Sequence, residues 1–497
     1  MLTELTARNE LSKLKDPRLF REHAYLGGKW TAAKDGKVMA VSNPATGAQL
    51  GVVPALGGGE TEAAIAAAAA AFPAWRRLLP QQRAAYLRRW YELMVEAKDD
   101  LALIMTLEQG KPLAEAEGEI AYAASFIEWF AEEGKRINVE GVMPHLPGRQ
   151  MTVRREPVGV TAAITPWNFP SAMITRKAAA ALAAGCPMVV RPASETPYSA
   201  LALAELADRA GIPAGVFSVV TGPAQAIVDA LQASPLVRAL SFTGSTEIGR
   251  KLLEGGAQTI KRMSMELGGH APMLVFPEVD LEDAVAGAVA AKFQTTGQDC
   301  LAANRIYVHA GIYERFVERF AAYVRELRVG NGLEEGVEIG PLMHERAVAK
   351  CESHVADAIA KGGRVLAGGG RHNLGGNFFE PTVIADADDG MLIAHEETFG
   401  PVAAVLRFDD EAEVIGRAND TIYGLAAYVW SNDLNRVARV TSALEYGMVA
   451  VNCVKMTGAP IPFGGVKQSG LGREGSRHGL EEFTELKYVC IAIAEAA

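Results

Sequence analysis

An α/β fold is predicted, with two doubly wound units and a small protruding β-strand element, on three observations. Strand-like and helix-like runs alternate from residue 160 to 255 over short links. The alternation resumes after Glu266. Two long runs, "RQMTVRREPVGV" and "FTELKYVCIAI", alternate apolar and polar residues and belong to neither series. A strand that returns parallel to its predecessor needs a crossover, and a helix on short links supplies one.

Taken in order, "VTAAIT" is an unbroken apolar run and reads as a buried strand. "SAMITRKAAAALAAG" reads as a helix that stops at Gly185. The pairs "MVVR" with "SALALAELADRAG", "VFSVVTG" with "AQAIVDAL", and "LSFTG" with "STEIGRKLLEGG" repeat the strand-helix unit. The second series contains "PMLVF", "LEDAVAGAVAAKF", "RIYVH", "YERFVERFAAYVREL", "VAAVLRF", "AAYVW" and "GMVAVN". Doubly wound sheets bind dinucleotides at the carboxyl ends of their strands. The two alternating runs outside these units read as long strands and an oligomer edge. No long repeat or low-complexity linker separates the regions, which predicts domains that exchange chain segments. "GLGREG", 470–475, matches G-x-G-x-x-G but follows no convincing strand and precedes only 22 residues, so it is read as a flexible Gly-rich loop.

With 497 residues the chain has room for about three domains. A net charge of -10 argues against a nucleic-acid footprint, which needs a basic face. The start, "MLTELTARNELSKLKDPRLF", lacks the apolar core of a secretory signal. "AAIAAAAAAF" is too short to span a membrane. Cysteines at 186, 300, 351, 453 and 490 form no disulfide framework, and a reducing, cytoplasmic setting is expected. Cys351 and His354 lack a second pair and read as a helix face rather than a metal site.

Three stretches carry chemistry. In "ITPWNFP" two prolines bracket Asn168 where a strand ends and a helix begins; its amide can donate a hydrogen bond, or it can cap the helix. In "MELGGHAP" two glycines follow Glu266, permitting close backbone approach and leaving the carboxylate room to move; the alternative is a pairing or capping Glu at a domain border. In "TTGQDCLAANR" Gly297 and Gln298 bend the chain before Cys300. An ordinary thiol has a pKa of about 8.5, so a nucleophilic Cys needs surroundings that favour thiolate; the alternative is an inert buried thiol.

Together these stretches resemble the aldehyde dehydrogenase superfamily. "PWNFP", "FTGSTEIG", "ELGGHAP", "GQDC", "EETFGP" and "PFGG" stand in that family's order, and the likeness runs from "NPATGAQLG" to "PFGGVKQSGLGREG". The resemblance implies two Rossmann-like domains: 1–137 with 159–267 binding cofactor, and 268–471 catalytic. Segments 138–158 and 472–497 would be oligomerisation strands of a homodimer or homotetramer. It implies Cys300 as nucleophile on an aldehyde carbon. Asn168 and the Cys300 N–H would hold the oxyanion, and Glu266 would activate water against the thioester. Lys177 would support this centre.

For the cofactor the resemblance implies Trp167, Arg191 and Ser194 beside the adenosine ribose, with Thr165, Pro166 and Leu267 in the same cleft. Gly244 and Ser245 would lie at the pyrophosphate, and Glu397 and Phe399 at the nicotinamide ribose and ring. Ser194 stands where many NAD-preferring relatives have Glu, and Arg191 replaces the usual Lys. Both suit a 2'-phosphate, so NADP is expected, with NAD use also possible.

Arg176 and Lys177 are the only charges on the Ala-rich helix, and buried charges need partners: a substrate carboxylate, or a fixed Asp or Glu. The surrounding segment most resembles the succinate-semialdehyde dehydrogenase branch, where the matching Arg holds the substrate carboxylate. Gln294 stands where that branch commonly has a second Arg, and Ala302 where it often has a second Cys. Thr457 would offer a hydroxyl, and Phe169 and Phe463 would wall the tunnel. Succinic semialdehyde is the expected substrate. Another ω-oxo acid such as glutarate semialdehyde, an uncharged aldehyde, and a thiol hydrolase or acyl-transfer activity stay open.

Overall fold

The structure, a computed structural model, describes residues 10–137 and 139–493. Positions 1–9, 138 and 494–497 lie outside the described residues; they include parts of the expected cofactor-binding and oligomerisation segments and the start read for a secretory signal. Within the first unit the strands order as Gly470–Leu471, Arg262–Glu266, Val237–Thr243, Val160–Ile164, Met188–Arg191, Phe217–Val219, Ala24–Leu26 and Lys29–Thr31. The five central strands run parallel and the edges antiparallel. Alternate residues of one strand feed different faces: Met188 and Val190 join one core with Trp90, Ile120 and Leu201, while Val189 joins another with Ile65, Ile227 and Leu252. Both faces are covered, which is why these strands read as continuous apolar runs.

The chain order reverses between Val160–Ile164 and Val237–Thr243. Loops leaving two such neighbouring strands part to opposite faces and open a crevice at their carboxyl ends. "TPWNFP" and "GS" are those loops. The Ala-rich helix Ala172–Ala184 is buried along its whole length, Arg176 and Lys177 included. Small side chains let it lie deep in the core, and Gly185, at φ 98°, ends it in the left-handed conformation that glycine adopts without penalty.

The second sheet orders as Arg364–Ala367, Thr382–Ala387, Val402–Phe408, Ala303–His309, Ala271–Val275, Ala426–Trp430 and Met448–Val451, parallel except at the first strand. Only four residues, 267–270, separate Glu266 at the carboxyl end of a first-sheet strand from Ala271 at the amino end of a second-sheet strand. Ala271 in turn pairs with Ala303, close behind Cys300. Two stretches far apart in sequence therefore meet at the junction of the sheets.

Both outlying runs are strands. Arg149–Pro157 and Thr484–Ala492 pair antiparallel over nine residues, with Glu140–Val142 on the other side. "GLGREG" differs from expectation. It is not a flexible loop: Gly470–Leu471 extends the first sheet beside Met265 and Glu266, and Glu474 is buried and exchanges both backbone hydrogen bonds with Phe463 at 2.8 Å. Its glycines serve close approach, since a Cβ at Gly470 would collide with the Met265 carbonyl. No helix among the described residues is long and apolar enough to cross a membrane.

Candidate active site

Cys300 closes a strained turn. Thr295 and Thr296 have φ of 51° and 58°, a conformation that costs a β-branched residue about 1–3 kcal/mol. Surrounding groups hold it there. The Thr295 N–H donates to Glu115 at 3.0 Å, and the Thr296 hydroxyl donates to the Gly340 carbonyl at 3.1 Å. Gln298 spans the turn, donating to Thr295 O at 3.2 Å and accepting from the Met343 N–H at 2.9 Å. A Cβ at Gly269 would meet the Cys300 carbonyl oxygen, so the second glycine of "ELGG" is what lets the two segments touch.

Asn168 does not cap the Ala-rich helix. Glu119 does, accepting from the Ser171 and Ala172 N–H groups at 3.0 and 3.2 Å. Glu119 also pairs with Lys111 at 2.6 Å, and Lys111 donates to the Asn168 carbonyl at 2.8 Å. So held, Asn168 directs Nδ2 to the Gln298 carbonyl at 3.0 Å, two residues before Cys300. The amide is fixed against the turn that carries Cys300 and has a second N–H to give.

Glu266 is buried, and neither carboxylate oxygen has a hydrogen-bond partner. Burial first, then the Glu474 charge, push it well above the ordinary carboxylate range. Glu474 forms ion pairs with Arg176 at 2.6 Å and with Lys177, and accepts from Ser241 at 3.3 Å. Burial works against its charge, yet the Lys177 and Arg176 cations hold it below the usual range. The fixed carboxylate that Arg176 required is thus Glu474. It sits in the segment read as a loose loop, and sequence reasoning missed it. The Arg176 fork is only partly engaged: Nη2 lies 2.8 Å from the Met173 sulfur, and Nη1 is buried without a partner.

Cys300 opens on a cavity of about 790 Å³. Phe169, Arg176, Gln294, Thr457 and Phe463, the five side chains singled out for substrate, all line it. Tyr122, Lys111, Asp299, Tyr428 and Lys455, which were not singled out, line it too. The Phe463 ring stacks on the Arg176 guanidinium at 4.1 Å. The thiol is pushed well above its usual pKa, by burial first and then by the Asp299 and Glu397 carboxylates, with Arg176 opposing. Labelling of Cys300 by iodoacetamide without cofactor should therefore rise about tenfold per pH unit between about pH 7 and 9. Asp299→Asn should raise the rate at pH 7. Peptide mapping by mass spectrometry separates Cys300 from the exposed Cys453 and Cys490; a pH-independent rate would overturn this.

At the crevice the remaining residues gather. Trp167 meets the Phe399 ring edge-on at 5.6 Å. Thr165 Oγ1 and Arg191 Nε are buried without partners. Arg191 Nη2 donates to Ser194 at 2.7 Å, while Glu195 contacts His344 at 3.2 Å and also feels the Arg191 charge. Ser245, after Gly244, caps the helix Thr246–Ala257 by accepting from the Ile248 N–H, so the first-turn N–H groups face the crevice. Pro166 starts the turn that carries Trp167, and Leu267 packs under Gly249 of that helix. Glu397 accepts from the Gly269 N–H at 3.1 Å and is pushed up to about 7, mainly by burial. Unfilled buried donors, a helix N-terminus and an Arg–Ser pair in one crevice fit a dinucleotide with an additional anionic group.

The aldehyde dehydrogenase family matches this chain over residues 30–489. An NADP-dependent succinate-semialdehyde dehydrogenase of Escherichia coli is 58% identical over 481 residues, 97% of this chain and 100% of that protein. A glutarate-semialdehyde dehydrogenase of Pseudomonas putida is likewise 58% identical over 481 residues, with the same shares covered. A crystal structure of an E. coli NADP-dependent enzyme superposes with a TM-score of 0.96 at 58% identity, covering 97% of this chain and 100% of that one.

Proposed function

The chain belongs to the aldehyde dehydrogenase family, and on that footing we propose that it oxidises succinic semialdehyde to succinate with NADP. The Cys300 thiol releases its proton to solvent, and the thiolate adds to the aldehyde carbon. Negative charge on the former carbonyl oxygen is taken up by the second Asn168 Nδ2–H and the Cys300 N–H. NADP, bound in the crevice, supplies the hydride acceptor. Water then cleaves the thioester on Cys300, losing its proton to Glu266, whose raised affinity for a proton makes it a stronger base than a solvated carboxylate. The Arg191–Ser194 pair supports the preference for a 2'-phosphate, with Glu195 held by His344. NAD is the weaker alternative. Hydrolase chemistry without a nicotinamide would leave the crevice donors unused.

The observation that carries the acid-tailed substrate is Arg176. Arg176 is one of the residues that line the Cys300 cavity, Glu474 pairs with it on the Nε side, and Nη1 is buried without a hydrogen-bond partner. A carboxylate tail would satisfy it, with the Thr457 and Tyr122 hydroxyls beside it. Gln294 is neutral, and the room in the cavity favours glutarate semialdehyde as the second reading. The test is NADPH formation with succinic semialdehyde, glutaric semialdehyde and butyraldehyde. A charge-assisted hydrogen bond contributes about 1.5–3 kcal/mol, so Arg176→Ala should raise KM for the acid-tailed aldehydes about ten- to a hundredfold. The rise for butyraldehyde should be much smaller. Equal loss on all three would make Arg176 purely structural.

The exposed strands support an oligomer edge. Val142, Leu486, Tyr488 and Ile491 are exposed apolar residues on the three-stranded sheet, a surface suited to burial in a homodimer or homotetramer. Five free cysteines suit a reducing cytoplasm.

A further inference from the structure

We propose that Lys455 is a specificity-determining residue, a cation at the cavity rim that draws anionic aldehydes toward Cys300. The inference rests on the acid-tailed substrate proposed above. Six charged side chains line the cavity: Lys111, Arg176 and Lys455, against Glu115, Glu119 and Asp299. Lys111 is neutralised by Glu119, and Arg176 by Glu474. Glu115 holds Thr295, and Asp299 accepts from the Leu301 N–H at 3.0 Å. Lys455 is exposed and makes no hydrogen bond or ion pair among the described residues. Without it, Lys111 is cancelled by Glu119 and Arg176 by Glu474, and what remains is Glu115 and Asp299, both of whose carboxyls burial pushes up. An anionic aldehyde would then meet no uncommitted cation in the lining.

An exposed lysine is ordinarily a solvated one. Lys455 differs in its setting. Its loop is pinned at both ends: Asn452 exchanges hydrogen bonds with Ser431 at 2.9 and 3.0 Å, and Phe463 pairs with Glu474. It stands two residues from Thr457, on the wall that also carries Phe463. The backbone that carries the uncommitted charge is therefore anchored beside the cavity lining. Charged clefts concentrate ligands of opposite sign, and salt screens the effect.

The test measures kcat/KM for succinic semialdehyde, glutaric semialdehyde and butyraldehyde across a range of ionic strength. In Lys455→Met the ratio of acid-tailed to neutral substrate should fall about three- to tenfold, through KM, and its salt dependence should flatten. Lys455→Glu should lower the ratio further, and Lys455→Arg should restore it. Lys251→Met, which removes a lysine paired with Glu247 one turn earlier in the helix Thr246–Ala257, controls for net charge and should leave the ratio unchanged. A wild-type preference that Lys455→Met leaves intact, with the same salt slope, overturns the role of Lys455 alone. Absence of any preference in the wild type overturns both that role and the acid-tailed reading.

Discussion

Cys300→Ala should abolish NADPH formation, a loss of about four orders of magnitude or more, while the fold persists. The size follows from what the thiol does: without sulfur no thioester forms, and Asn168 and Glu266 have no acyl group to act on. Folding should be little affected, because Cys300 is half-buried on a cavity wall at the edge of the second core. The turn that bears it is held by Glu115, Gly340 and Gln298, none of which uses the thiol. The measurement is absorbance at the reduced-nicotinamide band, with far-UV circular dichroism and thermal unfolding as controls for the fold. Activity near wild type with an intact fold would exclude Cys300 as nucleophile and leave Glu266 to be explained as an isolated buried acid.

Much of the site was legible in the sequence because its groups lie on stretches whose local chemistry is unusual. Two prolines around Asn168, two glycines after Glu266 and a Gly-Gln turn before Cys300 each mark a backbone held for a purpose. The parallel strands were legible for a different reason: burial on both faces makes them apolar throughout, as in "MVVR" and "VAAVLRF". What escaped was tertiary. Lys111 and Glu119 lie more than 45 residues before Asn168, yet they fix its loop. Nothing local predicts that a glutamate on a preceding helix caps Ala172–Ala184. Two consecutive threonines at positive φ contradict their own propensity and persist only because the surrounding contacts over-determine them. Glu474 escaped for the plainest reason. Its neighbouring glycines were read as freedom of motion, when they permit three backbone segments to pass at contact distance.

Glu474→Gln should cost more stability than any other single change at the centre, about 3–5 kcal/mol. Glu474 is the fixed counter-charge for two buried cations, Arg176 and Lys177, on adjacent positions of an apolar helix. An amide of the same shape keeps the packing and removes the charge. Arg176 cannot shed its proton, whereas Lys177 can: burial already lowers its pKa, and the charge that opposed this shift would be gone. The variant should therefore show a distinctive pH response. An unfolded lysine keeps its proton up to about pH 10.4, while the folded one would lose it earlier. The unfolded state then binds more protons across that window, and stability must rise with pH there. Thermal unfolding at a fixed scan rate should find the variant several degrees below wild type at pH 7 and closer to it at pH 9. The Glu266 pKa would fall as well, since loss of the Glu474 charge lets it ionise at lower pH and makes it a weaker base. Stability would recover with alkali while thioester hydrolysis would remain slow. A variant whose midpoint tracks wild type at every pH would mean that Arg176 and Lys177 find their counter-charge elsewhere.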